Sequence, residues 1–407
     1  MPQRASGLAE EAARTPEKLI AATLSAWEHG GAAAISARNL TAAAGAPPSS
    51  IHYHFGGLGQ LLDASQSTAL LSAQDWCDAQ WQAIGPGAQD PAMLGPLLAT
   101  LIDDWCETQR TVAFAWREAQ LAALRDPAQA AWATQWHALW ASLFARLCGQ
   151  MGLSDFTALT TWFFDGASAL HLLRWRRPLD RAALEELCDG WAAWTVGCFA
   201  PRDAWFRLGQ AEAGPLQIPV EQIDATAALI AAAAADTVAD GGTEALTHRA
   251  VAARAGVTLG MVSYKYRTSA DLLQAAFATI YRRILANALV SPDELGSLSA
   301  QAAITGLQQI LPDRANLLGS DELMLASARS AEFRGFAAEL RYLRGRSSGK
   351  VLRAMVGSER SLSPIDGAIF SALLGGRSRA CHTAGGCAPS TARKDDFRPL
   401  LVALKII

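Results

Sequence analysis

Two short stretches of the sequence carry side chains that can hydrogen-bond to phosphate groups. The first supplies His52, Tyr53 and His54, and the second supplies Ser263, Tyr264 and Lys265. Imidazole, phenol, hydroxyl and ammonium groups hold phosphates and fix a protein in register on a nucleic acid. The residues just before them, 47–50 and 258–261, are mostly small or polar, which would allow a helix to approach base edges. The chemistry indicated is noncovalent binding of a nucleic acid.

These two stretches belong to a longer segment that occurs twice in the chain. Residues 36–64 align without a gap with residues 247–275, which lie 211 positions later. Identical residues recur at matching positions: Arg38 and Arg249, Gly45 and Gly256, Tyr53 and Tyr264. A repeat of this length indicates two modules of the same kind.

The turn signals within each copy predict short helices. Ser36 and Thr247 are suitable N-caps for a first helix, which Gly45 and Gly256 would end. A second helix follows, and in the second copy Thr258 is its expected N-cap. Two helices joined by a short glycine-containing turn are typical of a helix-turn-helix, which places its second helix in the DNA major groove.

Outside the two copies, the chain shows helical periodicity and no alternating strand pattern, so we predict an all-α fold. Residues 1–14 are expected to form a flexible arm before a helix that opens at Pro16. The predicted divisions are a first head at 15–64, a first helical ligand and dimerisation domain at 65–205, a linker at 206–220, a second head at 221–275 and a second helical domain at 276–407 with an atypical tail from Gly375.

The bulk composition is that of a globular protein with more than one domain. The chain has 407 residues, of which 51% are apolar and 18% are charged. No apolar run is long enough for a membrane span and the N-terminus lacks a signal peptide, so we expect a cytoplasmic protein. The seven cysteines form no CxxC and are expected to be free. No catalytic, metal or cofactor motif is present, and we expect neither enzymatic activity nor a cofactor.

The segments AAGAPPSSIHYHF and RAGVTLGMVSYKY, each followed by a Leu-Leu pair, resemble the DNA-binding head of the tetracycline-repressor (TetR) family of bacterial transcriptional regulators. The resemblance implies a three-helix head and a helical ligand and dimerisation domain in each module. It also implies DNA contacts at matching positions, namely Arg38, Ser49, Ser50, His52, Tyr53, His54, Arg249, Thr258, Met261, Ser263, Tyr264 and Lys265. The lysine that the family often has before the Leu-Leu pair is replaced here by Leu58 or Ser269.

The two heads differ in charge. Residues 36–64 contain one fixed cation, Arg38, whereas residues 247–275 contain Arg249, Arg254, Lys265 and Arg267. Because each phosphate contact adds a counterion-release contribution, the second head is expected to bind DNA more strongly. Family members work as homodimers, so one chain with two heads suggests a covalent pseudo-dimer that recognises an asymmetric operator, acting alone or as a homodimer.

All 13 tryptophans lie between Trp27 and Trp205. Trp132, Trp136 and Trp140 recur every fourth residue and therefore share one helix face. Core packing is one interpretation of this pattern. The other is an aromatic effector pocket in the first half, with Trp105, Trp116, Trp132, Trp136, Trp140 and Trp162 as candidate lining residues.

Together these features predict a sequence-specific transcriptional regulator, a repressor that responds to a small-molecule effector, with double-stranded DNA as its partner and no membrane association. The alternative is a helical ligand-binding or protein-interaction module in which one or both DNA heads are inactive. The low charge of the first head and the irregular tail favour that alternative.

Overall fold

Helices account for every regular element that the computed structural model describes, over residues 2–214, 224–288, 313–333, 335–357, 360–383 and 397–407. The all-α prediction is confirmed. The first part contains α1 (Pro2–Gly30), α2 (Ala37–Ala44), α3 (Ser50–Phe55), α4 (Leu58–Ile84), α5 (Leu94–Glu107), α6 (Arg110–Arg125), α7 (Ala130–Gln150), α8 (Thr157–His171), α9 (Arg177–Thr195) and α10 (Ala204–Ala213). The second contains α11 (Ala225–Gly241), α12 (His248–Ala255), α13 (Leu259–Lys265), α14 (Ser269–Ala288), α15 (Arg314–Arg329), α16 (Gly335–Tyr342), α17 (Arg346–Val356), α18 (Pro364–Thr383) and α19 (Arg398–Ala403). None of the described helices has the length and apolar character needed to span a membrane.

Two helical heads are built in the same way, one from α1–α3 with the start of α4 and one from α11–α13 with the start of α14. The side chains of Ser36 and Thr247 cap α2 and α12, each accepting a hydrogen bond of 3.1 Å from the N–H three residues later. Gly45 and Gly256 end these helices in the left-handed conformation, with φ of 63° and 68°. A residue with a Cβ rarely adopts this conformation, so glycine is required at both turns. The predicted caps and breaks are confirmed.

Four apolar side chains fill each head, and the two sets occupy matching positions. The first set is Leu19, Leu40, Ile51 and Leu61, and the second is Ile230, Val251, Val262 and Leu272. Each residue of the second set follows its counterpart by 211 positions. The first set forms a small cluster of its own, whereas the second is continuous with α14, α15, α16 and part of α8.

The helices that follow the heads share one apolar core. Residues of α4–α10 pack in the same cluster as residues of α15, α16, α17, α18 and α19. The most extensive helix contact joins α8 to α18. A Cβ atom at Gly166 would collide with the carbonyl of Ala372, and one at Gly376 with the carbonyl of Trp162. The described parts of 65–205 and 276–407 therefore share one core.

Helix α1 begins earlier than predicted. It starts at Pro2 and contains Pro16 in its interior, whereas we expected a flexible arm to residue 14 and a helix opening at Pro16. Residues 8–14 are leucine, alanine, glutamate and arginine, which are strong helix formers. Their propensity extends the helix across a proline that removes one backbone hydrogen bond.

Two segments that were expected to be irregular are helical. Part of the predicted linker belongs to α10, where Gly209 packs directly against the ring of Tyr342. The predicted tail is still helical from Gly375 to Thr383, because close packing of α18 on α8 offsets the low helix propensity of its glycines. The rest of the linker prediction, 215–220, and tail residues 384–396 lie outside the described residues.

Of the seven cysteines expected to be free, five are free, Cys381 is not, and Cys387 lies outside the described residues. Cys77, Cys106, Cys148 and Cys188 are buried free thiols, and Cys198 is free and exposed. Cys381 is disulfide-bonded. Irregular spacing argues against a repeated disulfide framework, but it carries no information about a single bridge.

Candidate nucleic-acid interface

An exposed tyrosine occupies the same position on each head. Tyr53 of α3 is 82% exposed and Tyr264 of α13 is 77% exposed. Two positions earlier, Ile51 and Val262 are buried in the cores of the heads. Since residues two apart on a helix point to different faces, burial of these residues turns each tyrosine outward. Large aromatic side chains left in solvent at equivalent places are typical of a contact surface.

The other predicted contact residues mostly lie around these tyrosines. The ring of His54 stands perpendicular to that of Tyr53, with 4.8 Å between their centroids. The ammonium of Lys265 lies 5.6 Å from the centroid of the Tyr264 ring. The remaining exposed members of the predicted set are Arg38, Ser49, His52, Arg249, Thr258, Met261 and Ser263.

Ser50 is buried, which the sequence did not indicate, whereas Thr258 is the N-cap that the sequence predicted. Ser50 is only 7% exposed, so its hydroxyl does not reach the surface where Tyr53 lies. The side chain of Thr258 caps α13 by accepting a hydrogen bond of 3.2 Å from the N–H of Met261. Ser49, by contrast, makes no side-chain capping bond and remains exposed.

Two cations of the second head are held in ion pairs. Lys265 Nζ lies 2.5 Å from Oδ2 of Asp224, the residue that also caps α11. This hydrogen bond raises the pKa of the Lys265 ammonium. Arg254 is paired with Asp240 in the same way. Within the described residues, Arg38 and Arg249 are exposed and make no ion pair, so the charge advantage of the second head is smaller than its composition indicates.

A quartet of charges, two buried glutamates and two partly buried arginines, lies where α6 meets α15. Arg329 pairs with Glu118 at 2.5 Å, and Arg125 pairs with Glu322 at 2.5 Å. The two pairs are reciprocal, because each helix contributes a glutamate and an arginine seven residues later. Burial raises the pKa of Glu118, although Arg329 and Arg125 oppose this shift.

The quartet touches the base of each head with an arginine from the other half of the chain. Arg329 Nε donates a hydrogen bond of 2.9 Å to the carbonyl of Trp27, near the end of α1. A Cβ atom at Gly31 would lie 2.6 Å from the Arg329 guanidinium, and one at Gly242 would lie 2.5 Å from that of Arg125. The position of each head is therefore tied to the contact between α6 and α15.

Sequence reasoning missed this quartet, although a signal for it exists. Glu118 is followed by Arg125 after seven residues, and Glu322 is followed by Arg329 at the same separation. Repeated charges on helices are usually a solvated face, so they carry little weight alone. Their burial became visible only from the packing of α6 on α15.

The tryptophans of the first half form a packed cluster. Trp105, Trp116, Trp136 and Trp140 are buried, and the rings of Trp105 and Trp140 meet nearly edge to face at 4.8 Å. The cavity bordered by Trp116, Trp140 and Trp162 measures about 10 Å³. This is room for about one water molecule. Trp132 is partly exposed and bonds to Asp63 at 2.8 Å. These rings pack against one another as in a protein core, and the cavity that Trp116, Trp140 and Trp162 border is too small for an effector.

The described residues offer a second cavity but no metal site. No group of three or more histidine, cysteine, aspartate or glutamate side chains is arranged to hold a metal ion in that part of the chain. A larger cavity of about 400 Å³ lies instead among α10, α17 and α18, in the second half of the chain.

The chain has the geometry of two matched heads on a joined helical body, with an exposed tyrosine on each. No protein-family model matches the chain, and no curated protein matches it in sequence.

Proposed function

We propose that this protein is a sequence-specific DNA-binding transcriptional regulator, a repressor whose two heads act together on one duplex and whose DNA affinity falls when a small molecule binds. In this proposal α3 and α13 enter successive major grooves, which are about 34–36 Å apart. Tyr53 and Tyr264 contact phosphates beside those grooves, with Arg38 and Arg249 as the unpaired cations nearby.

One observation carries this proposal. Both heads retain the same four core positions and the same exposed tyrosine at a constant separation of 211 residues, while most other positions differ. The core positions explain why both heads fold alike. They do not explain why a large aromatic side chain is exposed to solvent on both heads. A surface that binds the same kind of partner on each head would explain it.

The charge quartet supports a route by which the helical body sets the separation of the heads. Arg329 bonds to the end of α1, and Arg125 lies against Gly242 at the end of α11. A ligand that favours a different arrangement of α6 and α15 would move the two heads relative to each other. DNA affinity would fall because the heads no longer match one turn of the duplex.

The test is selection of bound duplexes from a random pool by the full-length protein, followed by footprinting and a mobility shift. We expect one chain per duplex and two unequal half-sites one helical turn apart. A perfect palindrome occupied by two chains would contradict the covalent pseudo-dimer.

The control for that experiment is the double variant Tyr53→Ala/Tyr264→Ala. Both side chains are exposed, so the fold should keep its stability to within about 0.5 kcal/mol. Its circular dichroism and thermal transition should match those of the natural protein, while the shifted band is lost. Retention of the shifted band would remove the tyrosines from the interface.

A second candidate function is a helical ligand-binding or protein-interaction module with one or both heads inactive. The ion pairs of Lys265 with Asp224 and of Arg254 with Asp240 favour it, because they occupy two of the four cations of the second head. Failure to enrich any sequence from the random pool, together with retained ligand binding, would favour this candidate.

A further inference from the structure

A cavity of about 400 Å³ lies where α17 packs against the start of α18, beside α10. Its volume is within the range of small-molecule sites. The described lining contains no aspartate or glutamate, and its basic side chains are Arg344, Arg346, Lys350 and Arg353. Apolar residues complete the wall, among them Leu352, Leu362 and Pro364.

Close packing of glycines builds one side of this cavity. Gly345 lies between α16 and α17 with φ of +93°, a conformation that favours glycine. A Cβ atom at Gly345 would lie 2.5 Å from the backbone of Gly367, and one at Gly367 would lie 3.1 Å from Cα of Gly349. Because the backbones approach this closely, Arg344 and Arg346, on either side of Gly345, line the same cavity.

Within the described part of the chain, no carboxylate lies at ion-pair distance from the arginines of the cavity. Across the described residues, Arg344, Arg346 and Arg353 form no ion pair. Arg344 Nε donates to the hydroxyl of Ser371 at 3.2 Å, and Arg353 donates to the backbone carbonyls of residues 360 and 362 at 2.6 and 3.1 Å. Burial, and then the nearby Arg379, lower the pKa of Arg344 to about 10, although the carboxylate of Asp321 opposes the shift without forming an ion pair.

Like charges around an apolar cavity are unfavourable unless a group of opposite charge joins them. A guanidinium presents its N–H groups as a planar fork that matches the two oxygens of a carboxylate. An apolar wall requires that the rest of the ligand be apolar as well. The lining thus selects for both a charge and a shape.

We infer that this cavity binds a small amphipathic anion, with its carboxylate against Arg344 and Arg346 and its apolar body against Leu352 and Leu362. Nothing in the tryptophan cluster provides comparable space. The ligand site thus lies in the half of the chain that contains no tryptophan.

The regulatory consequence of this site rests on the proposed function. Gln210 of α10 lines the cavity from the first half of the chain, and Gly345 joins it to α16. Helix α16 packs on α15, which carries Glu322 and Arg329 of the charge quartet. A ligand that binds one arrangement of these helices better than another would shift the separation of the heads.

Calorimetric titration of the full-length protein, free of DNA, tests the site with three probes that share one tail: decanoate, decan-1-ol and decylamine. We expect decanoate to bind, and the alcohol and the amine to bind at least about tenfold more weakly, because only the carboxylate pairs with the arginines. Equal binding of all three would overturn the inference.

Arg344→Gln and Arg346→Gln locate the site. Each should weaken decanoate binding by about tenfold or more. Arg346 is exposed, so its replacement should leave the thermal transition unchanged, and Arg344→Gln removes a charge without a carboxylate partner. The matched control is Arg398→Gln, an exposed position on α19 that does not line the cavity. Unchanged decanoate affinity in both cavity variants would also overturn the inference.

A mobility shift with and without decanoate separates failure of the site from failure of the proposed function. Decanoate binding that requires Arg344, in a protein that binds no DNA, would uphold the site and contradict the regulator. DNA binding by a protein that does not bind decanoate would uphold the regulator and contradict the site.

Discussion

The first head and the second head fill their interiors from the same four positions, yet they are attached differently. Leu19, Leu40, Ile51 and Leu61 form an isolated cluster, whereas their counterparts in the second head merge with α14, α15, α16 and part of α8. The surfaces of the two heads also differ in charge. Residues 36–64 of the first head contain two histidines and one arginine, which makes no ion pair within the described residues, while two cations of the second head are neutralised by neighbouring carboxylates. A repeated core can therefore support two heads that differ in their attachment to the body and in their surface charge.

Leu40→Ala should have the largest effect on this comparison. Loss of a buried leucine costs about 2–5 kcal/mol. Because the cluster of the first head is small and isolated, we expect that head to unfold locally while the body keeps its thermal transition. Hydrogen exchange of residues 37–55, measured against 248–265, would show this.

The matched control for Leu40→Ala is Leu71→Ala, the same chemical change at an exposed position of α4. It should change stability by about 0.5 kcal/mol or less. If Leu40→Ala instead lowered the transition temperature of the whole chain, the first head would unfold together with the body, as expected for the second head.

Low pH should weaken the contact between α8 and α16, which helps to attach the second head to the body. His171 of α8 is buried, with Nε2 2.7 Å from Oδ1 of Asp103 and Nδ1 2.7 Å from Nη2 of Arg341 on α16. Burial, and then Arg341, lower the pKa of His171 to about 4, although Asp103 opposes the shift. Between pH 6.5 and about 4 the unfolded chain binds a proton at this histidine and the folded chain does not. Stability should therefore be full above pH 6.5 and fall by about 3 kcal/mol as the pH drops to 4.

Chemical denaturation across that pH range measures this effect. His171→Gln should flatten the dependence on pH, whereas His52→Gln, at an exposed position of α3, should leave it unchanged. Identical pH profiles for the natural protein and His171→Gln would show that His171 does not contribute to the acid response.

Tyr53→Phe and Tyr264→Phe compare the two heads at their equivalent contacts. Each change removes one hydroxyl and keeps the ring. A hydrogen bond to a charged phosphate contributes about 1.5–3 kcal/mol, so each variant should bind the selected duplex roughly tenfold or more weakly. Fluorescence anisotropy with labelled DNA would measure the losses. Equal losses would show that both heads engage the duplex, and a loss in one variant alone would identify the active head.

The smallest effect is expected at the ion pair of the second head. Asp224→Asn keeps a side chain that can cap α11 but removes the carboxylate from Lys265. Affinity for nonspecific DNA at low salt should rise by about two- to fivefold, because Lys265 can then bind a phosphate without first breaking its ion pair with Asp224. Lys265→Ala should lower the slope of log affinity against log salt by about one.

The contact of Lys265 with phosphate is checked by measuring DNA affinity against salt concentration for Asp224→Asn and for the natural protein. If Asp224→Asn and the natural protein had the same affinity at every salt concentration, Lys265 would not contact phosphate. The greater affinity expected of the second head would then depend on Arg249 and Arg267.

Local features of the fold could be predicted from the sequence because their causes lie within a few residues. Ser36 and Thr247 cap the helices that follow them, and Gly45 and Gly256 supply the left-handed conformation that ends those helices. The all-α class follows from helical periodicity along the whole chain.

Features that depend on distant contacts could not be predicted in this way. Periodicity shows that Trp136 and Trp140 share a face, but it does not show whether that face meets a pocket or other side chains. The tail from Gly375 continues as a helix because α8 packs against it, and the helical α10 depends on contact with Tyr342. Ser50 is buried by neighbours whose positions a sequence pattern does not give. The charge quartet and the basic cavity both combine residues from different helices.

The crossing of α8 and α18 bears on how the chain tolerates change. In an assembly of two identical chains, the two helices at such a crossing would have the same sequence. One substitution would then change both helices at once. Here Trp162 meets Gly376 while Ala372 meets Gly166, so a bulky residue and a small one occupy matching positions. Since both helices belong to one polypeptide, the crossing also forms at any protein concentration. Each side of it can therefore accumulate substitutions independently, and the two heads can diverge in sequence without losing the contact that joins them.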